Sequence, residues 1–245
     1  MKPINSKSFY SKEALLYDAK RWSSGAGQCV DKAQKEIVKE MLPDVFGKKI
    51  LEIGAGTGRF SLLLAKTGGN VTALDISQEM LDVLQEKTKK ANLFKKINTI
   101  QADASQKIPF PNETFDFCIA INTLSHVKDA SALFKEIFRI LKPKGIFLAN
   151  YPNLISIYFP FGILVNFKRK ALAKDVFTKW YSLREIKKLN KANGFQTTSF
   201  RGQVHFPLNI NNKCFLYLLQ LVDRIFRKTN LKYFAPIIFI KSIKI

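Results

Sequence analysis

Residues 52–58 read Glu52-Ile53-Gly54-Ala55-Gly56-Thr57-Gly58. The run before them, Lys49-Ile50-Leu51-Glu52-Ile53, has the pattern of a buried strand, and residues 58–66 after them carry Phe60, Leu63 and Leu64 at helical spacing. A glycine-rich segment between a strand and a helix marks a sharp turn whose backbone approaches a ligand with no Cβ in the way. The spacing narrows the choice of ligand. A dinucleotide fingerprint, G-x-G-x-x-G, needs glycine at position 59, where Arg59 stands; the third glycine comes one residue early, at Gly58. No G-K-[ST] follows, which excludes a Walker phosphate loop.

Outward from this turn, strand and helix patterns alternate. Val71-Thr72-Ala73-Leu74 reads as a second strand, followed by a helix over 77–91 with Ser77 as N-cap and Met80, Leu81 and Leu84 on one face. Residues 97–101 predict a third strand and 115–121 a fourth, the latter nearly all apolar, as a strand covered on both faces should be. A helix is expected over 130–141; Pro143-Lys144-Gly145 is read as a turn into a fifth strand at 146–150. This rhythm predicts an α/β fold, a doubly wound and mostly parallel sheet with helices on both faces. Ligands bind such sheets at the carboxyl ends of the strands. We expect one domain over 1–245: a helical cap at 1–47, a core at 48–150, and a substrate-side insertion with C-terminal strands at 151–245. In that last part a helix carrying Leu183, Ile186 and Leu189 leads into a strand at 195–200. A helix at 214–227 and a final strand at 235–243 follow.

Glu52-x-Gly54-x-Gly56-x-Gly58 resembles the first motif of the class I S-adenosylmethionine-dependent methyltransferases, and residues 121–127 resemble the branch acting largely on small molecules, lipids and quinones. The resemblance covers about residues 46–150 and implies a seven-stranded Rossmann-like sheet. It also implies that the turn, with Glu52, Gly54, Ala55, Gly56 and Gly58, wraps the methionine half of S-adenosylmethionine. Asp75, 23 residues after Glu52, matches the residue that accepts from both ribose hydroxyls, with Ile76 beside the adenine; as an isolated residue it would read as a helix cap. Asp103 and Ala104 match the positions that contact the adenine edge. The segment Ile121-Asn122-Thr123-Leu124-Ser125-His126 matches the one facing the sulfonium, so Asn122 should line the cofactor pocket. No [DN]-P-P-[YF] stands there, which argues against adenine-N6, cytosine-N4 and glutamine targets. Tyr10, Tyr17 and Trp22 lie in the segment that supplies aromatic residues closing over the cofactor in relatives, and Tyr17 is taken as the contact.

His126 is the candidate general base, since imidazole titrates near neutrality and a hydroxyl acceptor needs its proton removed. The alternative is a packed, inert histidine hydrogen-bonded at the start of a helix. His205 is a second, weaker candidate for the acceptor pocket.

Composition bounds the partners. The net charge is +21, and residues 151–245 hold 17 Lys and Arg against 3 Asp and Glu. A basic half of this kind reads as contact with an anionic membrane face or nucleic acid, or as bulk composition alone. We expect a small-molecule or amphiphilic acceptor, with residues 154–170 and 213–228 against an anionic membrane face. The rival readings are an RNA acceptor and a catalytically silent binding module. The three cysteines, Cys29, Cys118 and Cys214, lie far apart; no disulfide framework or metal site is expected, and the chain reads as cytoplasmic.

Overall fold

In the computed structural model, residues 6–156, 159–160, 177–204 and 211–245 are described. His205 and most of the basic insertion at 151–180 lie outside them. The chain opens with α1 (Ser6–Glu13), a single 3-10 turn (Ala14–Leu16), α2 (Tyr17–Trp22) and α3 (Gly25–Met41). Ser24 caps α3 by accepting from the Gly27 amide. On α3 the residues Val30, Gln34, Ile37, Val38 and Met41 recur at helical spacing and are buried, so this helix lies flat on the sheet.

The core follows as β1 (Lys49–Ile53), α4 (Arg59–Lys66), β2 (Asn70–Asp75), α5 (Gln78–Lys90), β3 (Ile97–Gln101), β4 (Phe115–Ala120), α6 (Ala130–Ile140) and β5 (Leu141–Pro152). After it come α7 (Leu183–Ala192), β6 (Phe195–Gln203), α8 (Lys213–Lys228) and β7 (Ile237–Lys244). The strands form one seven-stranded sheet in the order β3-β2-β1-β4-β5-β7-β6. β1 to β5 pair in parallel, and β7 runs antiparallel between β5 and β6. Alternate residues of the central strands feed two apolar layers. Leu51, Ile53, Cys118 and Ala120 pack on one face, Ile50, Phe117 and Ile119 on the other. That two-sided burial is why these strands read as continuous apolar runs.

The fifth strand departs from its expected start. It begins at Leu141, which pairs with Phe115, and the register shifts before Phe117. Pro143-Lys144-Gly145 is therefore a bulge inside one strand, not a turn ahead of it: Lys144 has φ 61°, and the kink absorbs the extra residues. The strands at 195 and 237 likewise run to Gln203 and Lys244 because β7, flanked by β5 and β6, gives both edges ladder partners along its length.

Strand order reverses between β1 and β4, the place where a crevice opens at the carboxyl ends of the strands. The cap helices lie over that crevice.

Candidate functional site

The glycine turn leaves β1 at this crevice. The Gly54 and Ala55 amides both donate to the Leu74 carbonyl, at 2.8 and 3.0 Å, which binds the turn to the end of β2. Gly54 and Gly56 have φ of 69° and 52°, the left-handed region that side chains with a Cβ avoid. At Gly54 an added Cβ would lie 2.3 Å from Thr123 Oγ1; at Gly56 it would meet no protein atom within 4 Å. The first glycine thus serves packing, and the second faces open space.

That space is a cavity of about 470 Å³. Its wall includes Glu52, Gly54, Ala55 and Gly56 from the turn, Asp75 and Ile76 from the end of β2, and Asp103 and Ala104 after β3. Asn122 and His126 after β4, and Tyr10 and Tyr17 from the cap, complete the ring. Like Trp22, Gly58 departs from this pattern among the residues singled out from sequence. It does not line the cavity; its Cβ position falls 2.0 Å from Leu84 Cδ1, so it lets α4 pack on α5.

Asp75 is buried. Its Oδ2 accepts from the Gly56 amide at 2.7 Å and its Oδ1 from the Ser77 amide at 2.9 Å. One carboxylate therefore braces both the glycine turn and the start of α5. A carboxylate accepts about four hydrogen bonds, so lone pairs remain for a ligand. Burial pushes its pKa up from the ordinary value.

Glu52 is also buried. Desolvation raises its pKa to about 8, against the lowering effects of the hydrogen bond from Ser61 Oγ and the nearby Arg59 charge. A folded pKa above the unfolded value of 4.5 means that the native chain keeps a proton the unfolded chain has released. Stability then falls as pH rises from 4.5 toward 8. At about 1.4 kcal/mol per unit, the cost is of order a few kcal/mol. Glu52→Gln removes it: the variant should melt at the wild-type temperature near pH 5 and several degrees higher near pH 8.5. Parallel melting curves across that range would show that Glu52 is not the titrating group.

Arg59, which entered the sequence reading only as the residue that breaks the dinucleotide pattern, is the main addition. Its side chain is buried over the Trp22 ring at 3.5 Å. Its Nε donates to Asp31 at 2.7 Å and its Nη2 to Gln34 at 3.1 Å. Asp31 and Gln34 are three apart on α3, hence on one face, but nothing in linear spacing links them to residue 59. Burial lowers the Arg59 pKa, opposed by Asp31. The cap is pinned from below as well: Thr57 Oγ1 donates to Asp18 Oδ1 at 2.7 Å, Lys87 pairs with Asp18, and Ser11 donates to Glu79.

His126 sits in the 3-10 turn after β4. Its Nδ1 lies 2.8 Å from the Phe177 carbonyl oxygen and its Nε2 3.2 Å from the Tyr10 hydroxyl. A second cavity of about 200 Å³ lies next to the first and shares Tyr10, Tyr17, Asn122 and His126 with it. Trp22 lines this second cavity only.

A family model described as a methyltransferase domain matches residues 51–149, the segment that builds the crevice. The chain is similar to methyltransferases through that segment. It is 39% identical over 102 residues to a demethylmenaquinone methyltransferase of Lactobacillus johnsonii, covering 40% of this chain and 41% of that one. A Tropheryma whipplei protein of the same name is 27% identical over 177 residues, with 66% and 72% covered. Among solved structures, a Thermotoga maritima methyltransferase, described as a possible histamine N-methyltransferase, superposes with a TM-score of 0.68 at 17% identity. That match covers 98% of this chain and 100% of the other; it shows the fold.

The first cavity is able to take S-adenosylmethionine, the cofactor that the glycine-turn resemblance implies. The molecule carries a sulfonium and an ammonium. The cavity wall offers Asp75 and Asp103 as acceptors, with Glu52, Arg59 and Lys128 also in it. The bare backbone at Gly56 leaves room for close approach.

Proposed function

We propose that the chain transfers the methyl group of S-adenosylmethionine to an amphiphilic small molecule with a quinone-type ring. The observation that carries this reading is the glycine-floored cavity at the strand-order reversal, with Asp75, Asp103 and an imidazole on its wall. The Glu52 to Gly56 turn would hold the methionine half, Asp75 the ribose, and Asp103 with Ala104 the adenine edge. When bound, the donor supplies an electrophilic methyl carbon on a cationic sulfur. The protein's part is to hold an acceptor about 3 Å away, in line and away from water. His126 Nε2 would take the hydroxyl proton of the acceptor. The oxygen, or a ring carbon conjugated with it, then attacks the methyl, and the carbon–sulfur bond breaks. The two relatives named for demethylmenaquinone support the quinone-type acceptor and favour it over RNA. The test is mass spectrometry of the chain incubated with donor and either a reduced short-chain quinone or bulk RNA. Methylated quinone and S-adenosylhomocysteine are expected; methyl label in RNA alone would overturn the acceptor class.

An acceptor with an apolar tail has to be met at a lipid surface, and α8 offers a face for it. Tyr217, Leu218, Leu221 and Ile225 form one stripe that is 43–68% exposed, whereas a surface helix ordinarily buries its apolar side. Lys213 and Arg224 flank the stripe, and the helix's one acid, Asp223, is buried and paired with Arg227. No helix among the described residues is long and apolar enough to cross a membrane. Apolar burial with cations at its edge, each worth about 1 kcal/mol near anionic lipid, suits peripheral binding. The chain should co-sediment with phosphatidylglycerol-containing vesicles, not with pure phosphatidylcholine, and L218E/L221E should release it. Absence of binding to acidic vesicles would sink this part.

A further inference from the structure

The two cavities differ in charge. The first is lined by Glu52, Asp75 and Asp103 together with Arg59 and Lys128; among the described residues no Asp or Glu lines the second, whose one full charge is Arg21. Arg21 is exposed at its edge with its guanidinium over the Tyr17 ring at 5.0 Å. Trp22, also in the wall, has a buried indole N–H with no hydrogen-bond partner among the described residues. A buried donor left unpaired calls for an explanation, such as an ordered water, an ion or a functional role. By contrast, the amides on the floor satisfy one another: Asn150 Nδ2 donates to Asn122 Oδ1 at 3.0 Å, and Asn122 Nδ2 to Gln34 Oε1 at 3.3 Å. The size is informative too. A cavity of about 150 Å³ accommodates benzene, so about 200 Å³ takes the ring of an acceptor and leaves any long tail outside.

We infer that the second cavity seats the acceptor's ring as its oxyanion, with the Trp22 N–H and the Arg21 guanidinium as donors and Tyr10 and His126 at the shared wall. The inference rests on the methyltransferase reading and adds the ionisation state and binding residues of the acceptor. The anionic acceptor then lies beside the one cationic side chain among the described residues of the second cavity. Transfer converts a sulfonium and an oxyanion into two uncharged groups, the phenolic proton having gone to His126 Nε2 beforehand. A reaction that cancels charge is favoured where water is excluded, since desolvation raises the charged reactants more than the spreading charge of the transition state. Aromatic walls from Phe9, Tyr10, Tyr17 and Trp22 suit a flat ring.

The test uses 4-nitrophenol, whose phenolate is coloured, titrated into protein saturated with S-adenosylhomocysteine. The bound phenol should ionise about one pH unit lower than in buffer, a tenfold preference for the anion. Arg21→Ala should abolish that preference, and Trp22→Phe, which keeps a ring under Arg59, should weaken phenolate binding several-fold. Both variants should bind S-adenosylhomocysteine like the wild type, because neither residue lines the donor cavity. Three results would overturn the inference: no nitrophenol binding, unchanged ionisation in both variants, or displacement of nitrophenol by S-adenosylhomocysteine. Failure of the methyltransferase reading would look different, since the wild type would then not bind S-adenosylhomocysteine.

Discussion

Replacing His126 with alanine is expected to lower turnover by ~10²–10⁴-fold at neutral pH, the usual range for a general base, with donor affinity unchanged within about threefold. The geometry sets the tautomer. The Phe177 carbonyl can only accept, so the ring proton sits on Nδ1, 2.8 Å away, and Nε2 presents its lone pair. The Tyr10 hydroxyl donates to that lone pair at 3.2 Å. An acceptor hydroxyl arriving in the shared wall would take over this hydrogen bond. Tyr10→Phe should therefore cost less than about tenfold, since Nε2 keeps its lone pair. The pH profile separates chemistry from packing. As pH rises, the acceptor ionises without help, and the alanine variant should converge on the wild-type rate. A His126→Ala enzyme within fivefold of wild type at neutral pH would mark this histidine as a packed residue only.

The second large effect is on donor binding. Gly56→Val should reduce affinity for S-adenosylmethionine at least a hundredfold, read by calorimetry, while the fold survives. Its Cβ meets no protein atom within 4 Å, so the added methyls enter the cavity itself. A β-branched residue at φ 52° adds strain of about 1–3 kcal/mol, a fall in melting temperature of roughly 2–12 °C. Gly54→Val behaves differently. Its Cβ would overlap the Thr123 side chain at 2.3 Å, and Thr123 Oγ1 is itself tied to the Ile53 carbonyl at 3.0 Å. Melting should drop well beyond the Gly56 variant, and lost binding would follow from lost structure. Wild-type affinity in a folded Gly56→Val protein would show that this turn does not face the donor.

Much of the crevice was legible in linear order because each of its parts sits at the end of a strand. A turn needing positive φ calls for glycine, and Asp75, Asp103 and Asn122 follow β2, β3 and β4 where the sheet presents its carboxyl edge. Gly58 shows the limit of that reasoning. It shares the motif's spacing, but its missing Cβ makes room for Leu84. Arg59 shows the other limit: its partners come from α3, 25 and 28 positions earlier, and a contact across that separation leaves no periodic trace.

The sequence by itself determined the order of strands and helices, the two-sided burial of the central strands and the place of the glycine turn. Each of these follows from local periodicity or from the steric demands of a single residue. Only the tertiary structure decided which cap residues meet the crevice, that His126 points its Nε2 at Tyr10, and that two cavities share a wall. Those depend on how α1 to α3 dock, through Asp18 on Thr57 and Lys87, Ser11 on Glu79, and Asp31 on Arg59. Docking is settled by the sum of such contacts over distant segments, and no window of sequence contains that sum.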